Sequence, residues 1–353
     1  MSIAKRDARV VPSDAHQALL VVENELIRFV KGKRLPSILA FSLLLTIALY
    51  SIPLGLGEKY TDTGVQIVYA YPYEDSSHPG YHSYAQLSGR DLVPDSIDIR
   101  VNSSKIPKSE WMVLGQGVVL FTTYPNNTAL EVRFERAINP IELSTNIMVV
   151  LPFMVAVVAV LIGSDAIVGE IQYRTGYLLF PNPVKRSVIF AGKFIACCLV
   201  GVAAIAIFYG GMAGFVYATL GSIPKYLLAS VGFALLYFLT CLSLSYAISA
   251  ISKTATGSVV LSFLLLLILF PLMQSIAVRY GVKPWFLPSF AGETITDSLL
   301  LGNYPSDIVD LSGSVPYYQF YPDPALSVLV MSITALALCF ISATILEKRD
   351  LRS

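Results

Sequence analysis

The residues best suited to chemistry are few and scattered. The chain has three histidines, His16, His78 and His82. His78 and His82 stand close to Glu74 and Asp75, donors that a divalent ion would accept from one shared face. Pro79-Gly80 lies between the two imidazoles and breaks any regular helix, so an exposed loop is expected and no metal site. Gly192-Lys193 ends like a phosphate-binding loop, but Phe194 stands where Ser or Thr is needed and the earlier glycine is missing. Cys197, Cys198, Cys241 and Cys339 all fall in long uncharged stretches. They are expected to pack as small apolar residues and not to form disulfides. The chain is therefore expected to carry no catalytic residues, metal or cofactor of its own.

A sizeable loop between two apolar stretches runs from Asp165 to Lys193. Glu170 and Arg174 are spaced i,i+4 with the acid first, the better order for a helix pair. Ile167 and Ile171 share a face, and Gly176 is a natural stop. Pro181 and Pro183 then force a turn before the chain becomes apolar again near Ser187. A short stiff helix held between two membrane segments is something a soluble motor could push. An ordinary amphipathic connector fits the same residues equally well.

These residues must be positioned by apolar elements. Of 353 residues, 55% are apolar and only 14% charged, against about 25% charged in an average soluble domain. Six stretches carry no Asp, Glu, Lys or Arg: Leu35–Gly57, Leu143–Ser164, Phe194–Pro224, Tyr226–Ser252, Thr254–Val278 and Pro324–Leu346. The shortest has 22 residues, and about 20 suffice to cross the hydrocarbon core as a helix. This composition excludes a single soluble globule, a disordered chain and a secreted disulfide scaffold. The net charge of +1 argues against a nucleic-acid partner. A seventh uncharged run, Trp111–Leu130, contains two glycines, Pro125 and paired asparagines, and its apolar residues bunch in two strand-like clusters.

Six spans place both termini on one side. With that side inside, the inner segments hold 15 Lys and Arg in 71 residues, against 10 in 131 outside. The positive-inside rule thus puts both termini in the cytoplasm. The fold expected is an α-helical polytopic membrane protein with six transmembrane helices and a β-rich extracellular insertion between the first and second. The expected division is a connecting helix in 1–34, the first span at 35–57, the insertion at 58–142, and a bundle at 143–353. That bundle includes an inner loop at 165–193 and an outer segment at 279–323.

Within 58–142, the runs Val65–Tyr71, Ser96–Val101, Val118–Thr123 and Ala129–Phe134 alternate with turn residues, which predicts an antiparallel sandwich. Asn102 and Asn126 head Asn-x-Ser/Thr triplets there. Aromatics such as Trp285, Tyr304 and Tyr321 suggest short interfacial or re-entrant pieces in 279–323. Pro271 is expected to bend or end the fifth span. Ser13–Lys31 reads as a helix with an apolar stripe at Leu19, Val22, Leu26 and Phe29–Val30, lying on the inner leaflet or packed on neighbouring spans. Gly210 and Gly214 form a small-residue pair suited to close helix packing, between chains or within one bundle.

No charge lies inside a span, and an ion-driven transporter generally keeps one there as a relay. Energy for uphill movement would have to come from another polypeptide. The segment Ser164-Asp165-Ala-Ile-Val-Gly-Glu170, followed by Tyr173-Arg174-Thr175-Gly176, Pro183-Val184-x-Arg186 and Gly192-Lys193, resembles the permease subunits of ABC-2 (type V) ABC transporters. The ending Glu347-Lys348-Arg349-Asp350-Leu351 is similar too.

The resemblance implies a dimer of permeases in the plasma membrane, in contact with lipid, each gripped by a separate ABC ATPase subunit that binds ATP and Mg. It implies an ATPase-coupling role for Asp165, Glu170, Arg174, Thr175, Gly176, Pro183, Arg186 and Lys193, and a connecting helix around Glu23, Leu26 and Phe29. The uncharged spans suit a lipid-like, glycan-linked or hydrophobic cargo. The competing reading is a membrane-anchored extracellular binding protein or envelope-assembly factor.

Overall fold

The computed structural model describes residues 13–55, 61–72, 83–86, 96–102, 104–114, 117–137, 140–172, 185–310 and 317–348. His78, His82, Glu74, Asp75, Arg174, Thr175, Gly176 and Pro183 lie outside the described residues. The chain divides into two compact units, one of Met1–Tyr50 with Ser144–Ser353 and one of Ser51–Leu143.

The first unit is helical. Helix α1 (Asp14–Lys31) begins at Ser13, whose hydroxyl accepts from the His16 amide. It ends at Gly32-Lys33, where Lys33 takes φ 59° and turns the chain. Helix α2 (Arg34–Gly55) follows, bent 67° from α1. Among the described residues, five further stretches are long and apolar enough to cross a membrane: Leu143–Gly163, Arg186–Leu220, Leu227–Ile251, Ala255–Arg279 and Pro324–Lys348. The bent pair of α1 and α2 supplies up to a sixth. The first of the five combines the end of α3 (Pro140–Met148) with α4 (Leu151–Gly163), and the next two are α6 (Arg186–Leu220) and α7 (Leu227–Ile251). Between α4 and α6 the chain makes the one-turn helix α5 (Val168–Gln172).

Pro271 does not end its span. The helix runs on from α8 (Ala255–Phe263) through a π-helical turn, Leu264–Leu269, into α9 (Phe270–Arg279). Proline lacks an amide hydrogen and crowds the carbonyl four residues before it, and the wider π turn lies where that crowding falls.

The described residues of 280–323 form short pieces. Helix α10 (Pro288–Asp297) buries eight of its ten residues. Its Ile295 carbonyl accepts from Ser230 of α7 at 2.5 Å, and Thr294 donates to Ser327 of the last span, α11 (Pro324–Lys348), at 2.9 Å. A glycine is required at 292, where a Cβ would fall 2.8 Å from the Tyr237 ring. Strands β8 (Ile308–Asp310) and β9 (Tyr317–Gln319) complete this region as a hairpin; to keep labels in chain order, β1–β7 are those of the second unit.

That second unit is built around seven strands among its described residues: β1 (Thr61–Pro72), β2 (Ser83–Gln86), β3 (Asp98–Val101), β4 (Ser104–Lys105), β5 (Trp111–Leu114), β6 (Gly117–Leu120) and β7 (Thr128–Ala137). All pairings are antiparallel, in the order β4-β3-β7-β1-β2-β6-β5. Thr61–Ala70 of β1 pair with β7, and Tyr71–Pro72 pair with β2. The array curls on itself, since Ile99 of β3 and Trp111 of β5 share one core with Val68, Val118, Leu130 and Val132. The uncharged run from Trp111 to Leu130 is thus two strands and the start of a third.

Candidate functional site

Two charged side chains of 165–193, Asp165 and Lys193, meet residues of α1 and α2 at one end of α4. Arg34 faces Asp165 as a fork, Nη1 to Oδ1 at 2.9 Å and Nη2 to Oδ2 at 2.6 Å. This bidentate geometry is the strongest available to a carboxylate. It fastens the first residue of α2 just beyond the last turn of α4. Lys193 of α6 reaches Glu25 of α1 at 2.6 Å, with only 6% and 13% of the two side chains exposed. Arg28 stands 3.4 Å from the same Glu25 oxygen. Glu25, Arg28, Arg34, Asp165 and Lys193 line one cavity of about 270 Å³.

The buried pair exists because α1 and α6 come very close. A Cβ at Gly192 would lie 2.7 Å from the Val21 Cβ and 3.0 Å from the Ala18 carbonyl oxygen. Only glycine permits this approach, and the approach withdraws the next residue, Lys193, from water. The packed face of α1 is Gln17, Val22 and Phe29. Leu19 and Val30, assigned to its apolar stripe from sequence, are 66% and 54% exposed. The stripe therefore divides, one part on the bundle and one part facing outward. Of the three connecting-helix residues, Phe29 is buried, Leu26 half-buried and Glu23 exposed.

Helix α5, which carries Glu170, is held by polar contacts at both ends. The Ser249 hydroxyl of α7 accepts from the Ile167 and Val168 amides at 3.1 and 3.0 Å. Two amides that would be orphaned at the start of a short helix are thereby satisfied. At the other end the Gln172 side-chain oxygen accepts from the Ala255 amide at 2.7 Å, at the start of α8. The Ser258 hydroxyl donates to the Ser164 carbonyl. Motion of α5 is thus tied to α7 and α8 as well as to α4. Arg186 donates to the Glu347 carbonyl at 3.0 Å, which joins the start of α6 to the end of α11. A guanidinium there also opposes the negative end of the helix.

Four of the sequence-selected residues, Asp165, Arg186, Lys193 and Phe29, thus sit in contacts that join separate elements. Glu25, Arg34, Ser249 and Gln172 complete the arrangement and were not singled out. Glu25 could have been found from its position one turn before Phe29, but Ser249 and Gln172 act through backbone amides and leave no sequence signal. Gly210 and Gly214 are exposed, and a Cβ on either would meet nothing within 4 Å. The small-residue contacts inside the chain lie elsewhere, at Gly201 against Phe238 and at Gly211 against Thr46. Among the described residues no group of three or more His, Cys, Asp or Glu could hold a metal ion.

A family model described as ABC-2 family transporter protein matches residues 19–351. The chain belongs to the ABC-2 transporter family. No curated protein sequence shows a match to it. An ABC-2 permease is the membrane subunit of an ABC transporter, and the family implies an ABC ATPase as its partner. The apolar helices agree with a multi-pass membrane protein.

Proposed function

We propose that this ABC-2 permease forms a dimeric export pathway whose work is done by a separate ATPase docked at the α5 end of α4. The observation that carries this reading is the pair of interhelix ion contacts, Arg34–Asp165 and Lys193–Glu25, beside a helix capped by Ser249. Together they make α1, α2, α4, α5 and α6 one mechanical junction. A push on α5 reaches α4 through Asp165 and α7 through Ser249. Glu170 is the residue of α5 given the coupling role in this reading, with ATP and Mg held by the partner.

In the same reading both termini and α5 are cytoplasmic in the plasma membrane, and the β unit is extracellular. The 67° bend then lays α1 toward the inner leaflet, with Leu19 and Val30 in lipid. Gly210 and Gly214 offer a smooth surface for the second permease chain. The cargo is lipid-like, glycan-linked or hydrophobic, because the spans present apolar and hydroxyl side chains without an ion relay.

The test is co-purification of this chain with an ABC ATPase from native membranes, followed by turnover in proteoliposomes. Glu170→Ala is expected to leave the ATPase bound and to lower transport per ATP at least tenfold. Equal coupling in Glu170→Ala and the parent, or uphill transport by this chain alone, would remove the proposal. The anchor reading predicts the contrary, unchanged activity when only the β unit is retained on another membrane anchor.

A further inference from the structure

At the opposite end of α4 from the ionic junction, the helical unit contains a second and larger cavity, about 740 Å³. Pockets for small organic ligands occupy about 300–1,000 Å³. Its walls are the first turn of α4, the last two turns of α9, one face of α10, and the residues around β9. Most of the lining is apolar or aromatic, including Phe290, Tyr318 and Phe320. The Tyr318 and Phe320 rings stack, with centroids 6.1 Å apart and planes inclined by 19°.

Into this apolar wall α10 inserts two carboxylates one turn apart, Glu293 and Asp297. Both are half-buried, and among the described residues neither has a salt bridge. Glu293 instead accepts from the Gln274 amide of α9 at 2.6 Å. Burial pushes the Glu293 carboxyl up to about 7, a rise limited by Gln274, and the Asp297 carboxyl up to about 6. Arg279, at the exposed end of α9, is the cation of the lining. The rest of α10 buries Phe290, Ala291, Thr294 and Ile295 without the two carboxylates, and Glu293 adds its contact to Gln274 of α9. Acidic groups withdrawn from water beside aromatic faces are costly on their own and favourable once a cation is supplied.

We propose that this cavity binds the alkylammonium headgroup of an amphiphile, with its amine between Glu293 and Asp297 and its first carbons against Phe290 and the Tyr318–Phe320 stack. The amine could belong to a simple long-chain amine or to a zwitterionic phospholipid, whose phosphate would then meet Arg279. This inference rests on the permease reading and narrows its cargo class.

The experiment uses the full-length chain in phosphatidylglycerol nanodiscs and three photoreactive diazirine probes of equal chain length. They carry a primary amine, a phosphoethanolamine or an uncharged hydroxyl headgroup, and adducts are mapped by mass spectrometry. The amine probe is expected to label Val149–Pro152, Phe290–Asp297 or Tyr318–Tyr321 at least tenfold more than the hydroxyl probe. Glu293→Gln with Asp297→Asn should abolish that preference, and Arg279→Gln should weaken only the phosphoethanolamine probe if the source is a phospholipid. An Arg279→Gln change without effect on that probe assigns the site to simple amines. Equal labelling by amine and hydroxyl probes in the parent chain, which needs no variant to fold, overturns the proposal. Co-purification of the ATPase is scored on the same preparations. An ATPase captured without amine preference rejects the cavity and leaves the permease reading standing, and the reverse result rejects that reading alone.

Discussion

Two ion pairs of equal length sit on α1 and α6 in opposite environments, and they allow the junction to be weighed. Lys193–Glu25 and Lys185–Asp14 are both 2.6 Å long. The first has side chains 6% and 13% exposed, the second 68% and 56%. An exposed pair contributes about 0–1 kcal/mol, because water screens it and two long side chains lose freedom. Removing one partner of a buried pair costs about 3–5 kcal/mol, mostly from the charge left behind. Lys193→Met leaves Glu25 with Arg28 at 3.4 Å, so the lower end, about 3 kcal/mol, is expected. Lys185→Met should cost under about 1 kcal/mol. Glu25→Gln combined with Lys193→Met should recover at least half the loss, since neither charge is then stranded. Unfolding in mixed micelles, titrated with dodecyl sulfate, measures all four chains. Equal shifts for Lys193→Met and Lys185→Met would refute the claim that burial makes this contact structural.

Three further outcomes follow from the geometry. Ser249→Ala should speed hydrogen exchange across 165–172 by roughly tenfold, from a loss of about 1–2 kcal/mol at the α5 start, while exchange in β1 stays unchanged. Gly201→Ala would put a Cβ 2.0 Å from the Phe238 ring and should cost about 1–3 kcal/mol, whereas Gly210→Ala meets nothing within 4 Å and should be neutral or slightly stabilising in an isolated chain. The Glu293 carboxyl rises from its ordinary 4.5 to about 7 in the fold, so between those values the folded chain holds more protons than the unfolded one. Stability must therefore fall as pH rises from about 5 to 7, by on the order of 2–3 kcal/mol, and Glu293→Gln should flatten that slope in thermal melts at stepped pH.

Apolar segments were legible because their lengths repeat the thickness of a membrane, and the β unit because turn residues punctuate its runs. Three strands lie outside the four runs: β5 shows only as a strand-like cluster in the Trp111–Leu130 run, and the short β2 and β4 carry too little apolar alternation to stand out. The π turn before Pro271 was also hidden: composition shows that a proline must be accommodated, and neighbouring backbone decides how. The family resemblance pointed to Asp165, Arg186 and Lys193 but not to their partners. A salt bridge across 131 or 168 residues depends on which helices become neighbours. The consequential glycine, Gly192, was first weighed as a fragment of a phosphate loop. Its role is steric, and it shows only when α1 lies on α6.

The two ends of α4 give the permease its internal logic. Ten of the thirteen residues of α4 are buried, so the helix is packed nearly all round. Close-packed interiors do not deform continuously, and such a rod transmits displacement along its length of about 20 Å. One end is clamped by Asp165 beside α5, and at the other end Val149 and Pro152 form part of the larger cavity. A side chain pushed at α5 therefore has a short rigid route to the wall that faces Glu293. Hydroxyl-to-carbonyl bonds also flank this rod: Thr296 donates to Met148 just before one end and Ser258 to Ser164 just after the other. Such bonds are worth about 1 kcal/mol each and can exchange without stranding an ion. In the proposed reading the bidentate Arg34–Asp165 contact stands where the motor would push, and the hydroxyl-to-carbonyl bond from Thr296 to Met148 stands near the cavity end.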